Sequence, residues 1–202
     1  MDVMTAILGR RSIRKYKSKP VEEEKIRLVL EAARYAPSAG NTQPWDFIVV
    51  TDPQIKTRVG ELFQSGHHKL YTEVVDEPLV GRELEERMRD RRTGIYEKVP
   101  VYIIVCLNRK QRRFSRDPEA EKQFEQQSVA AAIENLILAA YSLGLGTCWM
   151  GAPVLKEAGI KQLLAIPEGV RVVAGIPLGY ADESPPPRPR YELKEVVHRE
   201  RW

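Results

Sequence analysis

Apolar residues along this chain fall into two patterns: stretches where they recur every three or four positions, and four short runs where they crowd together. The clearest periodic stretch is Val129, Ile133, Leu136, Ile137 and Ala140, which share one face of a helix. Asp117-Pro118-Glu119 opens it, with Asp117 placed to accept the first backbone N–H bonds and Pro118 where no N–H is needed. Gly144 ends it. A helix over 118–143 is about 39 Å long, enough for a central core or interface element.

Residues 2–9 form a shorter helical candidate. Another follows Pro20, with Glu22, Glu23 and Glu24 in the first turn, where acids oppose the dipole, and Ile26, Val29, Leu30 and Ala33 on the apolar face. Pro37 closes it, Thr51-Asp52-Pro53 starts another helix, and 156–164 reads as a short one. The crowded runs at 45–50, 99–107, 146–149 and 170–178 read as strands. The run 99–107 is apolar on both faces, which predicts a central position. Residues 64–98 are polar and weakly periodic, predicting a helical excursion or lid with His67 and His68 in a loop. About five helices and four strands without a regular alternation predict an α+β fold.

The length of 202 residues predicts one domain over 1–202, with 184–202 as a C-terminal extension. Hydrophobic residues at 43% and charged residues at 30% exclude a disordered chain. The net charge of +4 is spread through interleaved acids and bases, as at 85–92, rather than gathered into a stripe with aromatics. The cluster Arg109, Lys110, Arg112, Arg113 and Arg116 lies between a strand and a helix start; it reads as a solvated loop, and no nucleic-acid partner is expected. Neither a signal peptide nor an apolar stretch of membrane-spanning length is visible, so the expectation is a cytoplasmic protein with no membrane partner. Cys106 and Cys148 sit in apolar, strand-like surroundings and are expected to be buried free thiols. No Cys/His set has metal-ligand spacing, so no metal is expected.

No glycine-rich dinucleotide turn, phosphate-binding loop or nucleophile elbow occurs. Three polar segments remain. Arg10, Arg11, Ser12 and Arg14 bring guanidiniums and a hydroxyl together, suited to a phosphate or, more plainly, to a basic turn. Residues 37–44, Pro-Ser-Ala-Gly-Asn-Thr-Gln-Pro, offer donors and acceptors able to read the edge of a flat heterocycle, or simply a polar turn between helix and strand. Arg188 and Arg190, two apart among prolines, point the same way in an extended backbone and could clamp an anion or form a solvated linker.

These segments, in this order and spacing, resemble the nitroreductase-like flavoproteins, which include FMN-dependent nitroreductases, flavin reductases and iodotyrosine dehalogenases. The family's Arg-Arg-Ser-x-Arg-like opening matches 10–14. Its Ala-Pro-Ser-x-x-Asn-x-Gln-Pro-Trp matches 36–45. Its helix ending Leu-Gly-Leu-Gly matches 143–146, its Pro-x-Gly-Tyr turn matches 177–180, and its basic tail matches Arg188 and Arg190.

The resemblance implies a mixed, mainly antiparallel sheet flanked by helices, a long interface helix, and a homodimer whose C-terminal extension wraps the partner. It implies FMN as cofactor and NADH or NADPH as reductant, with ping-pong hydride transfer to a small acceptor such as a nitroaromatic or quinone. Arg10, Arg11, Ser12 and Arg14 would hold the phosphate and ribityl chain, with Arg190 and Arg188 completing the clamp. Pro37, Ser38 and Asn41 would reach the isoalloxazine ring from the other subunit. Trp149, Met150 and Gly151 would pass beside its reactive N5; Trp149 would stack, narrow the pocket or pack in the core. No side-chain catalyst is implied, since the flavin carries the chemistry. Residues 64–98 match no family pattern and leave the acceptor open. A flavin-binding protein without turnover, used for storage, sensing or flavin remodelling, is the competing reading.

Overall fold

The computed structural model describes residues 1–92, 98–109 and 114–202. Its sheet has four strands: β1 (Trp45–Val50), β2 (Val101–Leu107), β3 (Gly146–Thr147) and β4 (Arg171–Gly179), in the order β1-β2-β4-β3 with every pairing antiparallel. β2 lies inside the sheet and all seven of its residues are buried. Alternation along a strand sends neighbouring side chains to opposite faces. Val101, Ile103, Val105 and Leu107 therefore enter one core cluster, and Tyr102, Ile104 and Cys106 the other.

Helices cover both faces. α2 (Glu23–Arg34) and α5 (Pro118–Ser142) pack on the first through Ile26, Val29, Ile133 and Leu136. α3 (Pro53–Lys69) and α6 (Glu157–Leu164) pack on the second through Val59, Phe63 and Ile160. The expected caps are in place. Asp52 and Asp117 each accept two backbone N–H bonds at the starts of α3 and α5, and Pro53 and Pro118 occupy the first turns. α5 ends at Leu143, and Gly144 takes the left-handed φ of +77° that turns the chain into β3. Val129, Ile133, Leu136, Ile137 and Ala140 are all buried, as their spacing predicts.

The described residues hold seven α-helices rather than about five. α1 (Val3–Gly9) was expected; α4 (Gly81–Arg92) lies in the predicted excursion and α7 (Leu193–Val196) in the tail. His67 and His68 are not in a loop. α3 runs through them to Lys69, followed by a π-helical turn, Leu70–Val74. His67 is buried and its Nδ1 lies 3.0 Å from the carbonyl oxygen of Phe63, a bond that requires the proton on that nitrogen; His68 is exposed. The apolar side chains Val59 and Phe63, one turn apart, hold this helix to the core and extend it past the point where local sequence turns polar. The run at 146–149 narrows to the two residues of β3, since Met150 forms only an isolated bridge to Gly175. Among the described residues no helix is long and apolar enough to cross a membrane, and no group of side chains is placed to hold a metal ion. Cys106 and Cys148 are buried and neither forms a disulfide.

Candidate functional site

The arginine segment begins where α1 stops. Arg11 Nη1 donates to the carbonyl oxygens of Leu8 and Arg10, each at 2.8 Å, so this side chain closes the helix end. Three contacts then fix the segment to the sheet edge. Ile13 N–H donates to the Thr147 carbonyl at 2.8 Å, and Ser12 pairs with Thr147 as a parallel neighbour. Tyr16, fully buried, has its hydroxyl 2.5 Å from the Ile13 carbonyl and 3.3 Å from that of Pro177. Glu183 accepts the backbone N–H groups of Arg14 and Lys15. Burial pushes the Tyr16 phenol well above its ordinary range, so it remains a donor.

The consequence is that Arg10, Arg11, Ser12 and Arg14 lie alongside β3, whose chain continues directly into Trp149, Met150 and Gly151. Met150 is buried and exchanges both backbone hydrogen bonds with Gly175. Trp149 points outward at 41% exposure, which removes the core-packing alternative for its ring. A Cβ on Gly151 would meet nothing within 4 Å, so open space borders the backbone there. The helix end, the β3 turn and the tail root also enclose a hollow of about 250 Å³ lined by Arg11, Ile13, Tyr141, Glu183 and Ser184.

Residues 37–44 form a strained turn. Gly40, Asn41 and Gln43 have φ of 55°, 55° and 49°, the left-handed region. Such strain persists only where surrounding contacts over-determine it. Here Ser38 Oγ accepts from Gln43 N–H at 3.0 Å, and Ala39 N–H donates to Ser128 Oγ at 3.2 Å. Pro37 precedes this turn at the exit from α2. The turn is thus anchored on α5 at Ser128, whereas Arg10 Nε lies 3.8 Å from Glu134 on the same helix. Six residues along a helix is about 9 Å of rise and about 120° of rotation. Within one chain, therefore, the turn and the arginine segment sit on different sides of α5.

Arg188 and Arg190 lie on an exposed stretch without regular structure, and Arg190 Nη1 reaches only the Pro189 carbonyl at 3.3 Å. Among the described residues no hydrogen bond or ion pair joins them to 10–14. Of Arg10, Arg11, Arg14, Arg188 and Arg190, only Arg10 has a described carboxylate within 4 Å, at 3.8 Å. The other four guanidiniums thus have no carboxylate partner among the described residues, and the planar fork of each is of a kind suited to a phosphate group. The basic cluster at 109–116 behaves differently: Arg109 forms a two-bond ion pair with Glu125 at 2.6 and 2.9 Å. Lys110, Arg112 and Arg113 lie outside the described residues.

The motif positions did not mark Tyr16, Glu183, Glu121 or Glu125. Tyr16 and Glu183 grip main chain more than 150 residues away, Glu121 grips the main chain of the connection just before its helix, and Glu125 takes the Arg109 guanidinium; nothing in local composition signals these partners.

The sequence matches the description "Nitroreductase family" over residues 7–180. The chain belongs to that family. A relative from Methanothermobacter thermautotrophicus, whose name joins NADH dehydrogenase and NAD(P)H nitroreductase, is 35% identical over all of this chain and 88% of its own length. An NADH dehydrogenase of Thermus thermophilus is 31% identical, covering 98% of this chain and 95% of that protein. The solved NADPH:FMN oxidoreductase of Vibrio harveyi, complexed with NAD+, superposes with a TM-score of 0.75 at 22% identity, over 99% of this chain and 77% of its own, a likeness of fold. The nitroreductase resemblance in the motifs at 10–14, 36–45, 143–146 and 177–180 is thus matched by membership over most of the chain, and the α+β fold with an antiparallel sheet is that of the family's solved structures.

Proposed function

We propose that this nitroreductase-family oxidoreductase is a cytoplasmic homodimer that binds FMN and uses NADH or NADPH to reduce a small organic acceptor, a nitroaromatic or quinone. The observation that supports it most is the pairing of Ser12 with Thr147, which holds the 10–14 segment against β3, four residues before the open backbone at Gly151. Arg14, Arg190 and Arg188, with Ser12, would hold the phosphate; Arg11, spent on two carbonyls, would shape the turn and lend its charge. Arg10 would swing from a long contact with Glu134. Pro37, Ser38 and Asn41, on another side of α5, would serve the ring bound by the second copy. Trp149 would wall the pocket, and the backbone at 149–151 would orient the ring. FMN supplies the acceptance and return of a hydride equivalent.

The balance is simple: NAD(P)H and one proton reduce a quinone to a hydroquinone. No described side chain is needed as acid or base. Residues 184–202 would wrap the second copy, and the segment 64–98 would form the acceptor side of the pocket. Apolar side chains lie exposed on α1 at Val3, Met4, Ile7 and Leu8 and on the tail at Tyr191, Leu193 and Val196, surfaces that association would cover.

The test is a visible spectrum of the purified protein, chromatography of the released cofactor, and anaerobic reduction with NADH and NADPH followed by a quinone or nitroarene. Bound FMN, bleaching and reoxidation with parallel double-reciprocal lines are expected. No flavin after reconstitution, or FAD, overturns the reading; bleaching without turnover on any acceptor would instead favour a flavin carrier.

A further inference from the structure

α5 carries a buried polar stripe near its start: Glu121, Glu125 and Ser128, each at most 5% exposed, spaced by four and three residues on one face. Burying two carboxylates is costly unless their oxygens are filled. They are filled by the connection between β2 and α5. Glu125 takes the Arg109 guanidinium through both oxygens. Glu121 accepts the backbone N–H of Phe114 at 3.2 Å and of Ser115 at 2.6 Å. The two carboxylates thus grip both described ends of that connection.

What the grip achieves is visible at Phe114. Its ring sits edge-on to Phe124 with centroids 5.4 Å apart, yet over half of its surface is exposed. The same ring lies against Gly40 so closely that a Cβ there would fall 2.4 Å from Phe114 Cδ2. Gly40 is the first of the left-handed residues in the 37–44 turn. The other side of that turn hangs on Ser128, whose Oγ accepts from Ala39 and itself donates to the Phe124 carbonyl at 2.6 Å.

We infer that Glu121 is a positioning residue for the turn carrying Ser38 and Asn41: it holds Phe114 against Gly40 while Ser128 holds Ala39, and together they fix the strained turn. The inference rests on the proposed role of that turn at a flavin ring. If the turn lines the ring, Glu121 acts on the choice of acceptor without touching it, because a planar acceptor must slide between ring and turn. A one-electron acceptor such as ferricyanide can take electrons at an exposed edge.

The variants are Glu121→Gln, Phe114→Ala, the double variant, and Glu119→Gln as an exposed control on the same helix. Glu121→Gln removes the charge and turns a donor amide toward the Phe114 N–H while its oxygen can still accept at the Oε2 position, so the grip is weakened with little change in volume. The first readout is amide hydrogen exchange of the cofactor-free protein at Asn41 and Thr42, whose N–H groups bond Ser38 and Ala39 carbonyls at 3.0 and 3.1 Å. Exchange should accelerate about tenfold in Glu121→Gln and in Phe114→Ala, with no further gain in the double variant, since both break one chain of contacts. Glu119→Gln should match the wild type.

The second readout is kcat/KM for a planar quinone divided by that for ferricyanide, which should fall about tenfold in the same variants. A purely structural defect lowers both terms alike. Unchanged exchange in both single variants, or additive effects in the double, overturns the inference. Should Glu121→Gln not fold, Phe114→Ala, an exposed ring, tests the same link. The exchange measurement needs no cofactor, so a protein that binds no flavin would defeat the functional reading and leave the positioning result readable.

Discussion

Ile13 donates its backbone N–H to the carbonyl of Thr147 at 2.8 Å, and the Ile13 side chain lies across Gly146. A Cβ at Gly146 would fall 2.7 Å from Ile13 Cγ1 and 2.8 Å from its Cβ, so the arginine segment and the sheet edge meet only because residue 146 has no side chain. Gly146→Ala should lower stability by about 1–3 kcal/mol through overpacking. It should also weaken FMN binding more than a distant substitution of equal cost, because the arginines shift with Ile13. Thermal melting of the cofactor-free protein and fluorescence titration with FMN measure the two effects separately.

Arg190→Ala should weaken FMN binding more than Arg116→Ala. Both remove one charge, so a general field would treat them alike, the more so at high salt. A charge-assisted hydrogen bond to phosphate is worth about 1.5–3 kcal/mol, a ten- to hundredfold rise in dissociation constant. Arg190→Lys should recover part of the loss, keeping the charge without the planar fork. Titrations of apo-protein at two salt concentrations check this, and equal affinities for the two alanine variants remove Arg190 from the site.

Burial pushes the Cys106 thiol up from 9.0 to about 11. The unfolded chain therefore gives up this proton before the folded one does. The contribution to stability is complete below pH 9 and is lost as pH rises from there to about 11. Its size is of order 2 kcal/mol. Denaturant titrations at pH 8 and pH 11 should show a smaller alkaline loss in Cys106→Ala than in the wild type. At pH 8 the native thiol should also resist alkylation.

Removal of residues 191–202 strips Tyr191, Leu193, Val196, Val197 and Trp202, all exposed in the single chain. If these side chains dock on a second copy, the truncated protein should dissociate at concentrations where the full chain is dimeric, while keeping the helical content of α1 to α6. Light scattering with circular dichroism decides. An unchanged dimer would remove residues 191–202 from the interface.

Much of the fold was legible because short-range physics wrote it. Asp52-Pro53 and Asp117-Pro118 start helices through bonds to their own neighbours, and Gly144 ends one through its own φ. The apolar run around Ile103 and Ile104 needs burial on both faces, so it lies inside the sheet. The histidines show the limit. His67 and His68 follow a polar stretch, yet α3 continues through them because Val59 and Phe63 anchor it against residues far along the chain.

The site divides the same way. Sequence alone determined the donor chemistry: guanidiniums at 10, 11, 14, 188 and 190, polar groups at 38 and 41, and family membership through their spacing. Only the tertiary structure decided which of these stand together. It set Ser12 beside Thr147 and placed the 37–44 turn on another side of α5. It turned Trp149 outward, and it gave Glu183 main-chain partners at the far end of the chain that no local pattern announces. The physical reason is range. A cap or a turn is settled by atoms within a few residues, whereas a buried carboxylate's partner is chosen by how whole layers pack.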